Sequence, residues 1–337
     1  MKAVGYTATG PIDRPDALID FETEIPTATG HDLLVRVDAI SVNPVDTKIR
    51  QRRAPTDGTP DILGWDAAGE VVGRGEAVID FSVGDRTYYA GAVNRPGTNS
   101  EYHLVDARIV GKAPTTISIP AAAAMPLTTL TAYEMLFDRL RIDNPIPGGK
   151  NTLLVIGGAG GVGSITIQLA RVLSDVTIIA TASRPETKAW VAELGAHHVV
   201  NHAEPLDAQI EALGIGSVDF VYSTTHSHLY YEEVAGIMTP QGRYGLIDDP
   251  EAFDIMPFKS KAISVHWEFM FTRPMFETTD IQRQGDILNE VAALIDTGKV
   301  KSTVAESFGT INAANLIKAH ALLESGKSKG KIVLEGF

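Results

Sequence analysis

The sequence predicts a mixed α/β chain in which a parallel-sheet unit is inserted between two parts of a β-rich domain. Three observations lead there. Residues 1–120 carry short apolar runs such as Leu33–Val37 and Gly69–Gly73, punctuated by Gly, Pro and Asp. Residues 121–254 alternate strand-like and helix-like stretches, the pattern of βαβ units. Residues 255–337 return to mixed text and close on Lys331-Ile332-Val333-Leu334. A chain of 337 residues is long enough for two domains with separate cores.

Within the middle segment, strands are expected near 152–157, 176–182, 198–200, 218–223 and 242–247. Helices are expected near 161–174, 185–194, 205–213 and 227–239, and later over Asp286–Thr297 and Asn312–Ser325. The first strand runs straight into Gly157-Gly158-Ala159-Gly160-Gly161-Val162-Gly163. Gly158, Gly160 and Gly163 fit G-x-G-x-x-G between a strand and a helix, where the motif has a mechanism. The first glycine permits the tight turn, the second lets the backbone approach a pyrophosphate, and the third lets helix and strand pack closely. The helix N-terminus then offers unpaired N–H groups and partial positive charge to phosphate. A dinucleotide site follows, and ligands of such sheets bind beyond the C-terminal strand ends.

The end of the next strand bears on which dinucleotide. An NAD site usually carries Asp or Glu there, about 20 residues on, for the ribose 2′-hydroxyl. Here Ala182 holds that position, followed by Ser183 and Arg184. A hydroxyl and a guanidinium suit a 2′-phosphate, so NADP is expected. The alternative for Arg184 is a solvated charge ahead of Pro185 at the first helical position; Lys188 either reinforces the phosphate site or faces water.

Bulk properties narrow the rest. A net charge of −13 argues against nucleic acid and against an anionic membrane surface. No run of 18 apolar residues suggests a span, and Met1–Tyr6 lacks a signal-peptide core, so a cytoplasmic location is expected. With no cysteine there is no disulfide, thiolate nucleophile or cysteine-held metal. The nine histidines show no metal-ligand spacing.

The chain resembles the medium-chain dehydrogenase/reductases, in particular their zinc-free quinone-oxidoreductase branch. Ser41-Val42-Asn43-Pro44-Val45-Asp46-Thr47-Lys48-Ile49-Arg50, Leu63-Gly64-Trp65-Asp66-Ala67-Ala68-Gly69, Val83-Gly84-Asp85-Arg86, Leu127–Tyr133 and the glycine turn carry the resemblance. The text is most similar to the zinc-type alcohol dehydrogenase-like subgroup. The resemblance implies a Rossmann nucleotide-binding domain inserted into a β-rich GroES-like catalytic domain, a homodimer, and a reaction site in the cleft between domains. In zinc-dependent relatives, Cys-x-x-Asp and Gly-His-Glu supply catalytic ligands. Here Asn43 stands in the cysteine position and Trp65 in that of the ligand histidine, so no metal is expected. Without a strong Lewis acid, alcohol oxidation is disfavoured.

What the resemblance implies is NADPH-dependent reduction of a small molecule, a quinone or an α,β-unsaturated carbonyl compound. The alternatives are an enoyl-thioester reductase and a nucleotide-binding sensor or structural protein with little turnover. Catalytic candidates are Asn43, Lys48 and Tyr89. Lys48 stands where many relatives have tyrosine and either donates to an oxyanion or pairs with Asp46; Tyr89 either donates or is a half-buried strand aromatic. Asp46 is expected to hold its turn. Cofactor contacts carried over are Asn43, Thr131, Gly161, Val162, Gly163, His202, Thr225, His226, Leu246 and Ile247, beside Gly158, Gly160, Ser183 and Arg184 from the sequence itself. Trp65, Tyr89 and Trp267 are the pocket candidates. Trp267, Phe269, Met270 and Phe271 form an aromatic-rich cluster, read as core or dimer packing or as a substrate lid. Arg50-Gln51-Arg52-Arg53 is a solvated loop or a lure for an anionic substrate.

Overall fold

The computed structural model of the chain describes residues 1–56 and 58–337. The first stretch contains β1 (Lys2–Tyr6), β2 (Ile19–Glu22), β3 (Asp32–Val42), α1 (Pro44–Arg52), β4 (Asp61–Ile62), β5 (Ala67–Arg74), β6 (Arg86–Tyr89), β7 (Tyr102–Asp106) and β8 (Val110–Lys112). After α2 (Ile119–Ala123) and α3 (Pro126–Tyr133) comes a π-helical segment, Glu134–Arg139. The alternating part follows: β9 (Thr152–Ile156), α4 (Gly161–Leu173), β10 (Thr177–Thr181), α5 (Pro185–Glu193), β11 (His198–Val200), α6 (Leu206–Ala212), β12 (Val218–Ser223), α7 (Ser227–Ile237), β13 (Met238–Leu246) and β14 (Ser264–Trp267). The chain ends with α8 (Thr272–Phe276), α9 (Arg283–Asp296), β15 (Val304–Ser307), α10 (Ala313–Glu324) and β16 (Lys331–Glu335).

Two compact units result, one made of Met1–Leu130 with Phe271–Phe337, the other of Thr131–Met270. The divisions expected at 120 and 254 fall at 130 and 270 in the packing. The second difference has a clear cause. Residues 264–267 pair parallel with β13, Tyr244 against Val265 and Leu246 against Trp267, and so extend the parallel sheet by one strand.

That sheet has the order β11-β10-β9-β12-β13-β14, every neighbour parallel. This is the Rossmann order, with its switch point between β9 and β12. Its inner strands are covered on both faces, which is why they read as continuous apolar runs. Leu153, Leu154 and Val155 have no exposed surface, and each contributes roughly 1.5–3 kcal/mol by burial. The core continues through Ile179, Val221, Tyr244 and Leu246.

In the other unit, β3 is the spine of a seven-stranded sheet, order β15-β16-β3-β5-β6-β8. Its first half pairs with β7 and its last residues with β16. Because β16 and β5 both run antiparallel to β3, the end of β3 lies beside the starts of β5 and β16. Residues just after β3, just before β5 and first in β16 therefore meet.

Candidate functional site

At the switch point, β9 ends and the chain turns through the glycines. Gly157 has φ +80°, and a Cβ there would lie 2.4 Å from Thr224 Oγ1. The tight turn thus falls on Gly157, one residue before the Gly158 expected for it. Gly158 has a different duty: its Cβ would stand 3.0 Å from Ala180 Cβ, so it lets the turn lie against β10. Gly163 is closed off by backbone, with Gly157 O 2.3 Å from its would-be Cβ. Gly160, at φ −72°, finds only Gly157 O at 3.5 Å and otherwise opens outward. The first α4 hydrogen bond runs from Ser164 N to Gly160 O. The N–H groups of Gly161, Val162 and Gly163 therefore have no carbonyl one turn back and present an anion site.

The predicted phosphate-binding side chains gather in the same unit. Ser183 and Arg184 follow β10, and the Arg184 backbone N–H donates to Thr187 Oγ1 at 3.2 Å, starting α5. Arg184 Nε also meets Glu186 Oε1 at 2.9 Å, a partner the sequence reading did not give it. His202 follows β11, with Nδ1 buried and without a hydrogen-bond partner. Burial lowers the His202 pKa, and the nearby charges of His226 and Arg184 lower it further. His226 starts α7 in the left-handed region at φ 51°, with Nδ1 2.7 Å from Thr225 Oγ1. Thr224, Thr225 and His226 connect β12 to α7. Thr224 Oγ1 donates to Ile156 O at 2.8 Å, and Asp248 caps α7 by accepting from the Ser227 N–H at 2.8 Å.

Two other expected cofactor residues turn inward. The Leu246 side chain is fully buried in the sheet core, while Ile247 beyond it is half-buried. Thr131 is buried, and its carbonyl accepts from Tyr222 Oη at 3.3 Å.

In the unit built on β3, two of the three catalytic candidates are corrected. Asn43 is 1% exposed. Its amide donates to Asp66 Oδ2 at 2.8 Å and to Ser41 O at 3.4 Å, and its Oδ1 accepts from Lys331. Both amide hydrogens are spent, leaving none for a nicotinamide or a substrate. Tyr89 has no exposed surface; it stacks on His103, 5.5 Å between centroids, with Oη 3.1 Å from His103 Nδ1. His103 Nε2 lies 2.9 Å from Pro96 O and can only donate to that carbonyl, so Nδ1 accepts the tyrosine proton. Burial raises the Tyr89 pKa and takes His103 down to about 4. Tyr89 is a core residue, not a free donor; His103, which the sequence reading missed, is its partner. Lys48 alone of the three keeps a partly exposed side chain, on α1.

The pocket candidates divide likewise. Trp65 is fully buried; its indole N–H donates to Ala92 O at 3.0 Å and its ring meets Phe271 edge-on at 6.3 Å. It is a packed core side chain. Trp267 on β14 is 55% exposed and Phe269 50%, whereas Met270 and Phe271 are buried. Arg50 is no solvated loop residue. It lies 1% exposed in α1, paired with Glu324 of α10. Arg53 bonds Val93 O at 2.9 Å and pairs with Asp61 at 3.3 Å.

Comparison with known proteins now places the chain. Residues 29–121 match the alcohol dehydrogenase GroES-like domain and residues 194–334 the zinc-binding dehydrogenase family. The chain is 38% identical to a zinc-type alcohol dehydrogenase-like protein of Staphylococcus epidermidis, over 99% of both. It belongs to the medium-chain dehydrogenase/reductase superfamily. This superfamily member is thus an oxidoreductase from a family that binds pyridine nucleotides. It shares 53% identity and a TM-score of 0.99 with the crystal structure of a putative zinc-dependent alcohol dehydrogenase protein from Rhizobium etli, over 100% of this chain and 98% of that one. The quinone oxidoreductase of Escherichia coli, solved with NADPH, is 25% identical with a TM-score of 0.83 over 99% and 100%.

The family name implies zinc, and the residues here do not fit it. Trp65 offers only an N–H, already donated. Asn43 Oδ1 and Asp66 Oδ2 both accept from the Lys331 ammonium. Among the described residues, no three His, Asp or Glu side chains gather to hold a metal. No helix among them is long and apolar enough to cross a membrane.

Proposed function

We propose that this dehydrogenase/reductase is an NADPH-dependent, metal-independent reductase of quinones or α,β-unsaturated carbonyl compounds. The observation that carries the cofactor reading is the end of β10. Ala182 takes the usual acid's place, and Arg184 and His226 both stand within electrostatic reach of His202. Cationic and N–H donor groups there suit a 2′-phosphate. Glu186 opposes this through its pairing with Arg184, so the guanidinium must turn from Glu186 toward the phosphate. The glycine turn and the α4 N-terminus would hold the pyrophosphate.

Bound NADPH supplies the hydride. The chain's part is to orient it and to meet the negative charge that develops on the acceptor oxygen. Quinones and enones need less help there than a simple carbonyl, which fits a donor set unsuited to zinc. Lys48 is the donor candidate whose side chain is partly open to solvent. The quinone oxidoreductase likeness supports the same acceptor class.

Titrating NADPH and NADH by nicotinamide fluorescence tests the cofactor. NADPH should bind more tightly, and Arg184→Ala should weaken NADPH by about tenfold, roughly one exposed charged hydrogen bond, while sparing NADH. Equal affinities unchanged in the variant overturn the assignment. NADPH oxidation with a small quinone, an enone and an enoyl thioester tests the reaction. Consumption only with the thioester, or with none despite tight binding, refutes the acceptor class.

A further inference from the structure

At one end of the β3 sheet, three neighbouring strands bring a cation among oxygens. Asn43 follows β3, Asp66 precedes β5 and Lys331 opens β16. Lys331 is 3% exposed and Asp66 has no exposed surface. The ammonium donates to Val42 O at 3.0 Å, to Asp66 Oδ2 at 3.1 Å and to Asn43 Oδ1. An ammonium has three N–H groups, and all three are used. Asp66 is completed by the Leu127 N–H, which donates to Oδ1 at 2.8 Å, and by the Asn43 amide. We propose that the Lys331 ammonium is the resident cation of this site, standing in place of a divalent metal, where it neutralises Asp66 and fixes the Asn43 amide.

Charge requires such a cation. A buried carboxylate without a partner costs several kcal/mol. Geometry makes Lys331 that partner, since it takes three oxygens from one point. Those oxygens are a backbone carbonyl, an amide and a carboxylate, the set a hard cation prefers, with neither nitrogen nor sulfur for zinc. The amide follows from the cation. With Oδ1 turned to the ammonium, the NH2 group of Asn43 can only face Asp66 and Ser41. Lys331 therefore sets the orientation of that amide inside the core. Being tethered to β16, this cation cannot be removed by a chelator. The proposal deepens the metal-independent reading but is tested without turnover or nucleotide.

The test uses the full chain, dialysed against EDTA, with MgCl2 or ZnCl2 as the only added probe. Bound metal is measured by elemental analysis and Tm by circular dichroism. The wild-type chain should hold no stoichiometric metal, and neither probe should move its Tm. Lys331→Met should lower Tm, and Mg2+ should restore part of the loss as it enters the vacated oxygens. Lys331→Arg, which keeps the charge, should stay insensitive to metal. Lys331→Met with Asp66→Asn removes both charges; it should be more stable than Lys331→Met alone and indifferent to Mg2+. If Lys331→Met does not fold, the double variant still decides. Its folding supports charge neutralisation, and its failure to fold overturns the proposal. Stoichiometric wild-type metal that Asp66→Asn removes overturns it too, as does a folded Lys331→Met whose Tm ignores both metals. Metal that Asp66→Asn retains lies elsewhere; it defeats the metal-independent reading and leaves the Lys331 assignment standing.

Discussion

Gly160 and Gly163 lie three residues apart, yet alanine at each should fail for a different reason. At Gly163 the added Cβ would meet Gly157 O at 2.3 Å and Gly158 Cα at 2.7 Å. Both are backbone atoms, so α4 must shift off the turn. Overpacking of this kind costs about 2–3 kcal/mol, or roughly 6–10 °C of Tm for a unit of this size. The same shift moves the N–H groups of Gly161 and Val162, and nucleotide affinity falls with stability. At Gly160 the backbone is ordinary, φ −72° and ψ 176°, and the single neighbour stands 3.5 Å away. Alanine as a helix N-cap costs only about 0.5–1 kcal/mol. Its methyl, however, stands on the outward face of the turn. NADPH affinity should drop by at least about tenfold, some 1.4 kcal/mol, with Tm nearly kept. Thermal unfolding and fluorescence titration of both variants read the two effects separately. Equal losses of Tm in the two, or a Gly160→Ala chain that binds NADPH as the wild type does, would refute the reasoning.

Tyr89→Phe leaves His103 Nδ1 without its donor inside the core. It should cost about 1–3 kcal/mol in urea unfolding, with kcat essentially unchanged. A kcat loss of about a hundredfold at unaltered stability, the size of a general-acid contribution, would return Tyr89 to the chemistry. His320 has no exposed surface and no hydrogen-bond partner on either ring nitrogen; burial, then the Arg50 charge, takes its pKa down to about 3. The unfolded chain takes up that proton near the ordinary histidine value of about 6.5. This contribution to stability is therefore whole above about 6.5 and falls by about 1.4 kcal/mol per pH unit as pH drops toward the folded value. His320→Leu should gain on the wild type by about 2 kcal/mol between pH 6.5 and pH 5 in urea unfolding. Parallel pH profiles of the two chains would rule this out.

The parallel sheet was readable because its signals are local. Apolar runs, glycines and helix starts mark β9 to α7 within a few residues each, and the expected helices over 161–174 and 185–194 are found at Gly161–Leu173 and Pro185–Glu193. β14 was missed because Ser264-Val265-His266-Trp267 is only four residues long, too short for its alternation to stand out, and β13 makes it a strand by pairing. On the catalytic side the sequence named residues without saying which way they face. Tyr88 and Tyr89 are both fully buried, one by α9 and one against His103, so alternation along β6 separates no outside from inside. Lys331 went unnoticed as a site residue because Asn43 and Asp66 lie 288 and 265 positions away. Only strand order joins them.

That separation also bears on the order in which the protein can be made. Translation delivers Lys331 288 residues after Asn43 and 265 after Asp66. Every residue of the parallel-sheet unit is available before Phe271 leaves the ribosome, whereas the other unit still lacks β15 and β16. Until those strands arrive, β3 has an open edge from Ala39 to Val42, and Asp66 has no cation. The inserted unit can thus fold during synthesis before its host, which must wait for β15 and β16. Closing a loop of 265 to 288 residues is a slow, non-local step. A nascent chain stalled short of residue 331 should hold a protease-resistant middle between unprotected flanks.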